Sequence, residues 1–501
     1  MSSSNPDREG QDVPEDDNEM LDAADAEEVV EEEQGDVAMD SGDEDDEPVE
    51  EIALQNDSVA HFDSHKDSIF CIAQHPTNPA IVATGGGDDL AYIYEAVPAP
   101  KPVLPPSFES NPQPIERKSL QPLAKLEGHT DSVNAVAFSL PDGALAITAG
   151  LDGRINVFTT PTSTSTTTKV ATAQEVEEIN WLSPCPHPSN PNTFALGASD
   201  GSVWVYSIDP TSSTPLNIVQ AFYLHTAPCT AGAWTADGKL LATVSEDSSL
   251  YVWDVFGDAA AAGLTDPSST GGGQTVVGLT ASDERFNVDG GLYSVAISPG
   301  GALVAVGGAE GQIRVVGLPR FGVAAGAAGT SKGGAGAKAK AGGGKQAPAK
   351  AGTAASGQAG VILAALGAQS DGVETLAFSQ PPQTLLAAGS VDGSVALFDV
   401  AHNFAVRRHI KEAHEEEAVI KVDFVKSERG WLLTTCGNDG VVRRWDTRGG
   451  TAASGQGFAG EWRGHRGGGE GGGILGFVQG QDGKQIVTAG DDGISLVFDA
   501  A

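Results

Sequence analysis

The chain has 501 residues, of which 64 are glycine and only 6% are aromatic. This composition favours many short strands joined by tight turns over a large helical core. The formal net charge is −39, which argues against duplex DNA and anionic membranes as direct partners, because binding to phosphates requires clustered Lys and Arg. A basic protein surface is the complementary partner.

The first 51 residues form an acidic segment, with 23 Asp and Glu against one basic residue, Arg8. So charged a segment cannot bury enough apolar surface to offset its ordering entropy, and we expect a disordered tail. Solubility alone would explain its charge as well as binding would. We expect no secretory signal and no membrane helix, since no stretch approaches about 18 apolar residues. The four cysteines lack paired spacing, which indicates a reducing, intracellular compartment.

Beyond this tail one pattern recurs: alternating apolar residues, a Pro/Asp/Gly turn, a strand of small residues, Asp-Gly, and a strand ending in a large residue. Each copy has an acid six residues before that large residue. These repeat acids are Asp88, Asp152, Asp200, Asp247, Glu310, Asp392, Asp439 and Asp492. Their spacings are 64, 48, 47, 63, 82, 47 and 53 residues, and the short ones match one four-stranded blade. The copies predict an all-β propeller of eight blades over residues 52–501.

Insertions explain the longer spacings, and they fall near residues 97–122, 258–282 and 319–360. The third is rich in Gly, Ala and Lys without interleaved aromatics, which is typical of a flexible linker. The alternatives are contact with RNA and transient attraction to the acidic tail. The eighth copy lacks an outer strand, because the sequence stops two residues after Asp499. Residues 53–62 can supply that strand, which would close the ring and remove an exposed edge.

The repeat resembles the WD40 family, whose Gly-His and Trp-Asp signatures appear as Gly128-His129, Gly464-His465, Trp253-Asp254 and Trp445-Asp446. The resemblance implies that each repeat acid lies in a tight turn and orients a His, which bonds onward to a strand hydroxyl and a Trp. The structural pairs are then His65 with Asp88, His129 with Asp152, His225 with Asp247, His414 with Asp439 and His465 with Asp492. Asp200 and Asp392 belong to blades 3 and 6, which together with blade 5 lack a matching His, so we expect these blades to be looser.

We expect no enzymatic activity, no metal and no cofactor. The His and Asp pairs could mimic catalytic dyads, but they recur in most blades with structural spacing. Cys185 and His187 lack the second ligand pair that a structural zinc site needs. The glycines of residues 467–473 have neither the strand–loop–helix setting nor the Lys-Ser/Thr of a phosphate loop.

Acidic residues recur in the loops that lead into the inner strands and in the turns that hold the repeat acids, which share the top face of a propeller. Alignment on the inner-strand aromatic gives Glu177 and Glu374 the position of Asn134. The predicted partner-binding rim consists of Asp131, Glu177, Glu178, Glu246, Glu374, Glu416 and Asp491. Solvation is the simpler explanation of such charges, but their convergence from several blades favours attraction of a basic peptide.

A closer resemblance is to the family of the angio-associated migratory cell protein and its fungal counterpart, a ribosome-assembly chaperone. It rests on the acidic tail and on VATGGGDDLAYIYE, EVEEINWLSPCPHP and LLTTCGNDGVVRRWDTR in blades 1, 3 and 7. The resemblance implies a dedicated chaperone that binds the N-terminal segment of a basic large-subunit ribosomal protein (number ten, universal number sixteen) through an acidic top face. It would deliver this protein for assembly of the 60S subunit.

Two other classes of function stay open. One is a general WD40 scaffold in signalling or ubiquitin-ligase complexes. The other is a histone-type chaperone, because an acidic tail and rim would also suit histones. Copurification would separate the three. In each case we expect a monomer in the cytoplasm, with the nucleus as a further location.

Overall fold

The computed structural model describes residues 55–97, 118–161, 166–265, 274–321, 359–427, 429–449, 454–467 and 472–501. The chain divides into Met1–Ala53 and Leu54–Ala501, and every described residue belongs to the second unit. The tail predicted over residues 1–51 therefore lies outside the described residues.

The described residues form eight four-stranded antiparallel sheets, and each sheet is one blade of a propeller. The inner strands of successive blades contact one another, and the inner strand of the last blade contacts that of the first. The ring is therefore closed. This architecture confirms the predicted eight-bladed all-β propeller.

Blades 1 to 4 follow one another along the chain, and each pairs its strands in sequence order. Blade 1 contains β2 (Ile69–Gln74), β3 (Ile81–Gly86), β4 (Ala91–Glu95) and β5 (Pro122–Leu126). Blade 2 contains β6 (Val133–Phe138), β7 (Leu145–Gly150), β8 (Arg154–Thr159) and β9 (Lys169–Gln174). Blade 3 contains β10 (Ile179–Pro184), β11 (Thr193–Ala198), β12 (Val203–Ile208) and β13 (Leu216–Phe222). Blade 4 contains β14 (Cys229–Trp234), β15 (Leu240–Ser245), β16 (Leu250–Asp254) and β17 (Thr275–Leu279).

Blades 5 to 7 repeat this order, and blade 8 takes its outer strand from the start of the described chain. Blade 5 contains β18 (Leu292–Ile297), β19 (Leu303–Gly308), β20 (Gln312–Gly317) and β21 (Ile362–Gly367). Blade 6 contains β22 (Val373–Phe378), β23 (Leu385–Ser390), β24 (Val395–Asp399) and β25 (Ala405–Ile410). Blade 7 contains β26 (Val419–Phe424), β27 (Leu432–Gly437), β28 (Val441–Asp446) and β29 (Phe458–Arg463). Blade 8 contains β30 (Ile474–Val478), β31 (Gln485–Gly490), β32 (Ser495–Asp499) and β1 (Ala60–Phe62).

Helices are few and short in the described ranges. They are α1 (Asp258–Ala261) and the 3-10 helices Ala309–Gly311, Val400–His402 and Ser454–Gly457. No helix in these ranges has the length and apolar character needed to cross a bilayer.

Burial explains which residues form each strand. Apart from Gln485 at the start of β31, the second strands consist of apolar or small residues. Of these strands, β7 and β15 are buried at every residue, because neighbouring blades cover both faces of the sheet. The outer strands are covered on one face only. Accordingly β21 alternates between half-buried and exposed residues, which is the period of two expected for a half-buried strand.

The short strand β1 closes the ring. Its residue Phe62 pairs with Ser495 of β32, is fully buried, and stacks on Tyr94 with ring centroids 4.2 Å apart. The Tyr94 and Ser495 hydroxyls form a hydrogen bond of 2.6 Å. The backbone N–H of Leu120 donates to the His61 carbonyl at 2.8 Å and so engages the outer edge of β1. These contacts confirm that residues within 53–62 supply the missing strand.

The two faces of the ring carry different connections. Because the strands are antiparallel, the loops into the inner strands and the turns between second and third strands share the top face. The connections from inner to second strand, and from third to outer strand, share the bottom face. Residues 98–117, 266–273 and 322–358 each connect a third strand to an outer strand. The three predicted insertions therefore leave from the bottom face.

One predicted insertion is too long at both ends. The range 258–282 includes α1 and the outer strand β17, which pairs with β16 from Leu250–Leu279 to Trp253–Thr275. This strand has only five residues and follows a run of glycines, and one of its faces is exposed. Its alternation of apolar residues was therefore too weak to separate it from the insertion.

Candidate functional site

A chain of hydrogen bonds fixes the turn at the top of blade 2. His129 Nδ1 lies 3.0 Å from Asp152 Oδ1, and His129 Nε2 lies 2.8 Å from Thr148 Oγ1. The Asp152 carboxylate also accepts the backbone N–H groups of Thr130 and Arg154. The same His–Asp contact joins His65 to Asp88, His414 to Asp439 and His465 to Asp492. Four of the five expected pairs are thus in direct contact.

The ionisation of this chain suits a structural role. Burial lowers the pKa of His129 and outweighs the opposing effect of Asp152. Burial raises the pKa of Asp152, but the hydrogen bonds from His129, Thr130 and Arg154 outweigh it, so the pKa is below its usual value. A neutral imidazole therefore donates to a carboxylate at neutral pH. Both ring nitrogens are occupied, which leaves none to accept a substrate proton.

Blade 4 departs from the predicted pairing. His225 Nδ1 bonds the Ser249 hydroxyl at 2.6 Å, while Asp247 Oδ1 is 4.0 Å away. The Ser249 hydroxyl in turn donates to Asp247. The prediction of a direct bond between His225 and Asp247 was wrong. In blade 4 a serine stands two residues after the acid, where blades 1, 2, 7 and 8 have no hydroxyl. The chain still reaches a Trp, since His225 contacts Thr243 and Thr243 accepts from Trp253, both at 2.8 Å.

The blades without a matching His replace the chain in different ways. In blade 6, Gln369 stands at the His position and donates to the Ser394 hydroxyl at 3.1 Å. Asp392 accepts the N–H groups of Ser370 and Ser394, as a repeat acid should. In blade 3, Asp200 accepts from the Ser202 hydroxyl, which accepts from Trp204 Nε1. That these blades are looser stays a prediction.

The repeat turn of each blade abuts the top loop of the next. Gly153 follows Asp152 and has a φ of +69°, which favours glycine. A Cβ atom there would lie 2.0 Å from the carbonyl oxygen of Val176, in the loop into β10. Neighbouring blades therefore bring their top loops into direct contact around the channel.

Five acids share one position in these loops, two residues before the inner strand. These rim carboxylates are Asp67, Asp131, Glu177, Asp371 and Glu417. Four are exposed and Glu417 is half-buried. The other three blades have Ala227, Gly290 and Gly472 at this position.

The rim carboxylates are free to meet a ligand. One oxygen each of Asp67, Asp131 and Asp371 accepts the N–H of the next residue, at 2.8, 2.7 and 2.7 Å. Within the described part of the chain, none of the five forms an ion pair, whereas other acids such as Asp439 and Glu461 do. Five uncompensated charges around one channel mouth focus a negative potential there.

The top face holds all seven residues of the predicted rim. Asp131 and Glu177 are rim carboxylates. Glu178 and Glu416 are exposed and stand next to rim carboxylates in the chain. Glu246 is exposed in the turn between β15 and β16. Glu374 is the second residue of β22. Asp491 is half-buried, and its carboxylate accepts the Ser68 hydroxyl at 2.6 Å across the junction of blades 8 and 1.

The predicted alignment of Glu177 with Asn134 was wrong. Asn134 and Glu374 are both the second residue of an inner strand, and Asn180 is their equivalent in blade 3. The alignment failed because the aromatic residue used for it, Trp181, is the third residue of its strand, whereas Phe138 is the sixth.

Sequence reasoning also missed Asp67 and Asp371. A signal for both existed, since each stands two residues before an apolar inner strand, as Asp131 does. Counting from the strand start rather than from the aromatic would have found them.

Burial and acidic side chains of blades 4 and 6 raise the pKa values of Tyr293 in blade 5 and of Glu374 in blade 6. Burial raises the pKa of Glu374, and the negative charge of Asp371 raises it further. Burial also raises the pKa of Tyr293, to which the charges of Glu246, Glu374 and Asp371 add. A cation bound beside Glu374 would relieve this repulsion.

Cys185 and His187 are placed separately from any set of three or more potential metal ligands among the described residues. His187 Nε2 lies 3.4 Å from Asp258 Oδ2, and burial raises the pKa of the Cys185 thiol to about 12. Across the described ranges, no cluster of three or more His, Cys, Asp and Glu side chains is placed to hold a metal ion.

Comparison with known proteins identifies the repeat and its family. The WD domain, G-beta repeat family matches residues 56–95, 120–159, 216–254 and 360–399. The crystal structure of Sqt1 from Chaetomium thermophilum is 50% identical in sequence, with a TM-score of 0.73 over 89% of this chain and 98% of that chain.

The chain belongs to the Sqt1 family.

Other comparisons show what else this Sqt1-family chain is similar to. A crystal structure of Chaetomium thermophilum Sqt1 bound to the N-terminus of the ribosomal protein L10 is 49% identical, with a TM-score of 0.73 over 89% of this chain and all of that one. Ribosome assembly protein SQT1 of Saccharomyces cerevisiae is 33% identical over 42% of this chain and 45% of its own length. The human angio-associated migratory cell protein is 24% identical over 88% of this chain and 80% of its own length.

Proposed function

We propose that this Sqt1-family propeller is a non-enzymatic chaperone for a ribosomal protein. It binds the basic N-terminal segment of the large-subunit ribosomal protein L10 on its top face and delivers that protein for assembly of the 60S subunit. The observation that carries the proposal is the complex of Chaetomium thermophilum Sqt1 with the N-terminus of L10, at 49% identity over 89% of this chain.

The charge of the top face supports the proposal. The rim carboxylates come from five blades and lack basic partners among the described residues, so a Lys- or Arg-rich segment would meet unpaired charges. Glu374 and Glu246 add to them near Tyr293. The described ends of the long insertions lie on the bottom face.

Binding of this kind follows from long-range attraction. Complementary potentials speed the encounter of the two proteins and lose strength as salt screens them, with a Debye length of about 8 Å at physiological ionic strength. Such a complex forms quickly and is reversible. Ribosomal RNA, which presents many phosphates to the same basic segment, would compete with the propeller for it on the assembling subunit.

The proposal predicts that reversing three charges on the top face removes binding without unfolding the propeller. The variant is Glu177→Lys, Glu246→Lys and Glu374→Lys, and the ligand is a peptide with the N-terminal sequence of L10. An exposed ion pair contributes roughly 0.2–1 kcal/mol, so three reversals should lower affinity by more than about tenfold. The loss should be mainly in the association rate, and raising salt should reproduce it in the wild type.

A matched control reverses three exposed acids at the bottom face. These are Glu95 at the end of β4, Asp142 in the loop after β6 and Asp482 in the loop after β30. This variant has the same change in net charge and should bind the peptide nearly as the wild type does. Equal affinities of the wild type and the top-face variant, or wild-type binding that is insensitive to salt, would contradict the acidic top face as the binding site.

Copurification tests the function itself. Tagged full-length protein, captured at low and at moderate salt, should retain a single ribosomal protein, with the strongest yield from the cytoplasm, where ribosomal proteins are made. Recovery of histones alone would favour a histone-type chaperone. Recovery of several unrelated signalling or ubiquitin-ligase components would favour a scaffold. Either result would contradict the proposed function.

A further inference from the structure

The second residue of every inner strand stands at the mouth of the channel. In all eight inner strands the pairing with the second strand skips this residue, which is therefore a β-bulge. Bulges at the rim of a ring turn a side chain out of the sheet. In blade order the residues are Phe70, Asn134, Asn180, Thr230, Tyr293, Glu374, Ile420 and Leu475.

Blades 2, 3 and 4 use this position to bind the next blade. Asn134 donates to the Ile179 carbonyl at 2.6 Å, and Asn180 donates to the Cys229 carbonyl at 3.1 Å. Thr230 donates to the Leu292 carbonyl at 2.7 Å. The polar side chains of this half of the mouth are thus engaged in holding the ring together.

Blades 7, 8 and 1 have apolar side chains at the same position. We name Ile420, Leu475 and Phe70 the apolar arc. They are adjacent, because the inner strands β26, β30 and β2 contact one another in that order. Phe70 is 40% exposed, and the other two are half-buried. A single exposed apolar residue is ordinary, but here three neighbouring blades have an apolar residue at one equivalent position of the channel mouth.

Each blade of the apolar arc also has an acid on the top face. A Cβ atom on Gly87 would lie 3.0 Å from Asp67 Cγ and 3.2 Å from Phe70 Cε2, so the Phe70 ring and the Asp67 carboxylate share the same turn. Glu417 and Asp491 belong to the other two blades of the arc. A ligand on this side of the mouth therefore meets apolar and acidic groups next to each other.

We infer that the apolar arc is the specificity subsite of the top face, which receives an apolar side chain of the basic segment while the rim carboxylates bind the flanking Lys or Arg. This inference rests on the proposed function and adds a requirement to it. Charge alone would accept any polycation, whereas an apolar contact selects a basic segment with an apolar residue at the right spacing.

The test compares two ligands on variants that the fold accepts. Phe70→Asn and Leu475→Thr introduce residue types that stand at the equivalent position in blades 2, 3 and 4. The ligands are the N-terminal peptide of L10 and an oligoarginine peptide with the same number of basic residues. Removal of one or two partly exposed apolar contacts should lower affinity for the L10 peptide by about tenfold. Oligoarginine should bind the variant as it binds the wild type.

Salt gives a second readout. Apolar contacts are not screened, so the wild type should retain weak binding of the L10 peptide at high salt and the double variant should lose it. Ile218→Asn, at an exposed position of the outer strand β13, is the control and should change neither affinity. If the double variant binds both peptides as the wild type does, or loses both equally, the apolar arc is not the specificity subsite. Wild-type protein that fails to bind the L10 peptide would contradict the proposed function itself.

Discussion

His225 shows how a single buried side chain links the stability of a blade to pH. It is 5% exposed, and both ring nitrogens contact hydroxyls rather than a carboxylate. Burial lowers the pKa of His225 from 6.5 to about 4, with Asp247 opposing the shift only in part. The folded blade therefore binds a proton less readily than the unfolded chain does. Stability that is present above about pH 6.5 is lost as the pH falls toward 4.

We predict that His225→Gln makes the free energy of unfolding less dependent on pH. Gln369 fills the equivalent position of blade 6 and bonds a serine hydroxyl, so the fold accepts this replacement. The wild type should lose up to about 3 kcal/mol between pH 6.5 and pH 4 through this one group, and the variant should not. Urea titrations across that range measure the slope. The control is His402→Gln, whose side chain is 78% exposed. Parallel pH profiles of the wild type and His225→Gln would contradict the role of His225.

At the scale of the strand, the shortest strand in the described ranges closes the ring. β1 has three residues, yet it supplies the outer strand of blade 8 and buries Phe62 against Tyr94. A three-residue strand has few backbone hydrogen bonds to offer. Its contribution to stability therefore depends on the buried ring rather than on the length of the pairing.

We predict that Phe62→Ala lowers the free energy of unfolding by about 3–5 kcal/mol, because it leaves a cavity at a fully buried aromatic site. Denaturant unfolding followed by tryptophan fluorescence measures the change. Ile218→Ala, on another outer strand, is 51% exposed and should cost less than about 0.5 kcal/mol. If both variants lose the same small amount, β1 does not hold the ring closed.

The elements also differ in how well they can be predicted from the sequence. The eight turns were predictable because an acid recurs at regular spacing and is followed by glycine in six of the eight copies. This pattern has one structural explanation, as Asp152 and Gly153 show. The outer strand β17 was not, because its half-exposed pattern is short and next to a glycine run. The sequence was enough to predict that the top loops are acidic, but not which position each acid occupies relative to its inner strand. The place of Glu177 depends on where β10 begins, and an aromatic at its third residue hides that start.

For the molecule as a whole, the two faces of the ring have different features. The top face carries the rim carboxylates and the apolar arc, and the bottom face carries the ends of the long insertions. The insertion of residues 322–358 begins and ends at paired strands, since Val316 of β20 pairs with Ile362 of β21. Its five lysines are Lys332, Lys338, Lys340, Lys345 and Lys350.

We predict that replacing residues 322–358 by a short Gly-Ser linker changes neither the melting temperature nor the affinity for the L10 peptide. The strands at its two ends are already neighbours, and the insertion starts from the face opposite the rim. A melting curve and a peptide titration on the same sample check both parts. A variant that binds the peptide more tightly would indicate that the lysines compete for the rim, and one that melts early would indicate that they pack on the blades.

Ring closure also depends on the order in which the chain is synthesised. Phe62 pairs with Ser495, which is made more than 400 residues later. At about 5–20 residues per second, synthesis separates the two by tens of seconds, during which the growing chain has an unpaired first strand and an open edge. The order of synthesis therefore delays completion of the ring until β32 is available. A protein proposed to protect newly made chains thus passes through an exposed nascent stage of its own.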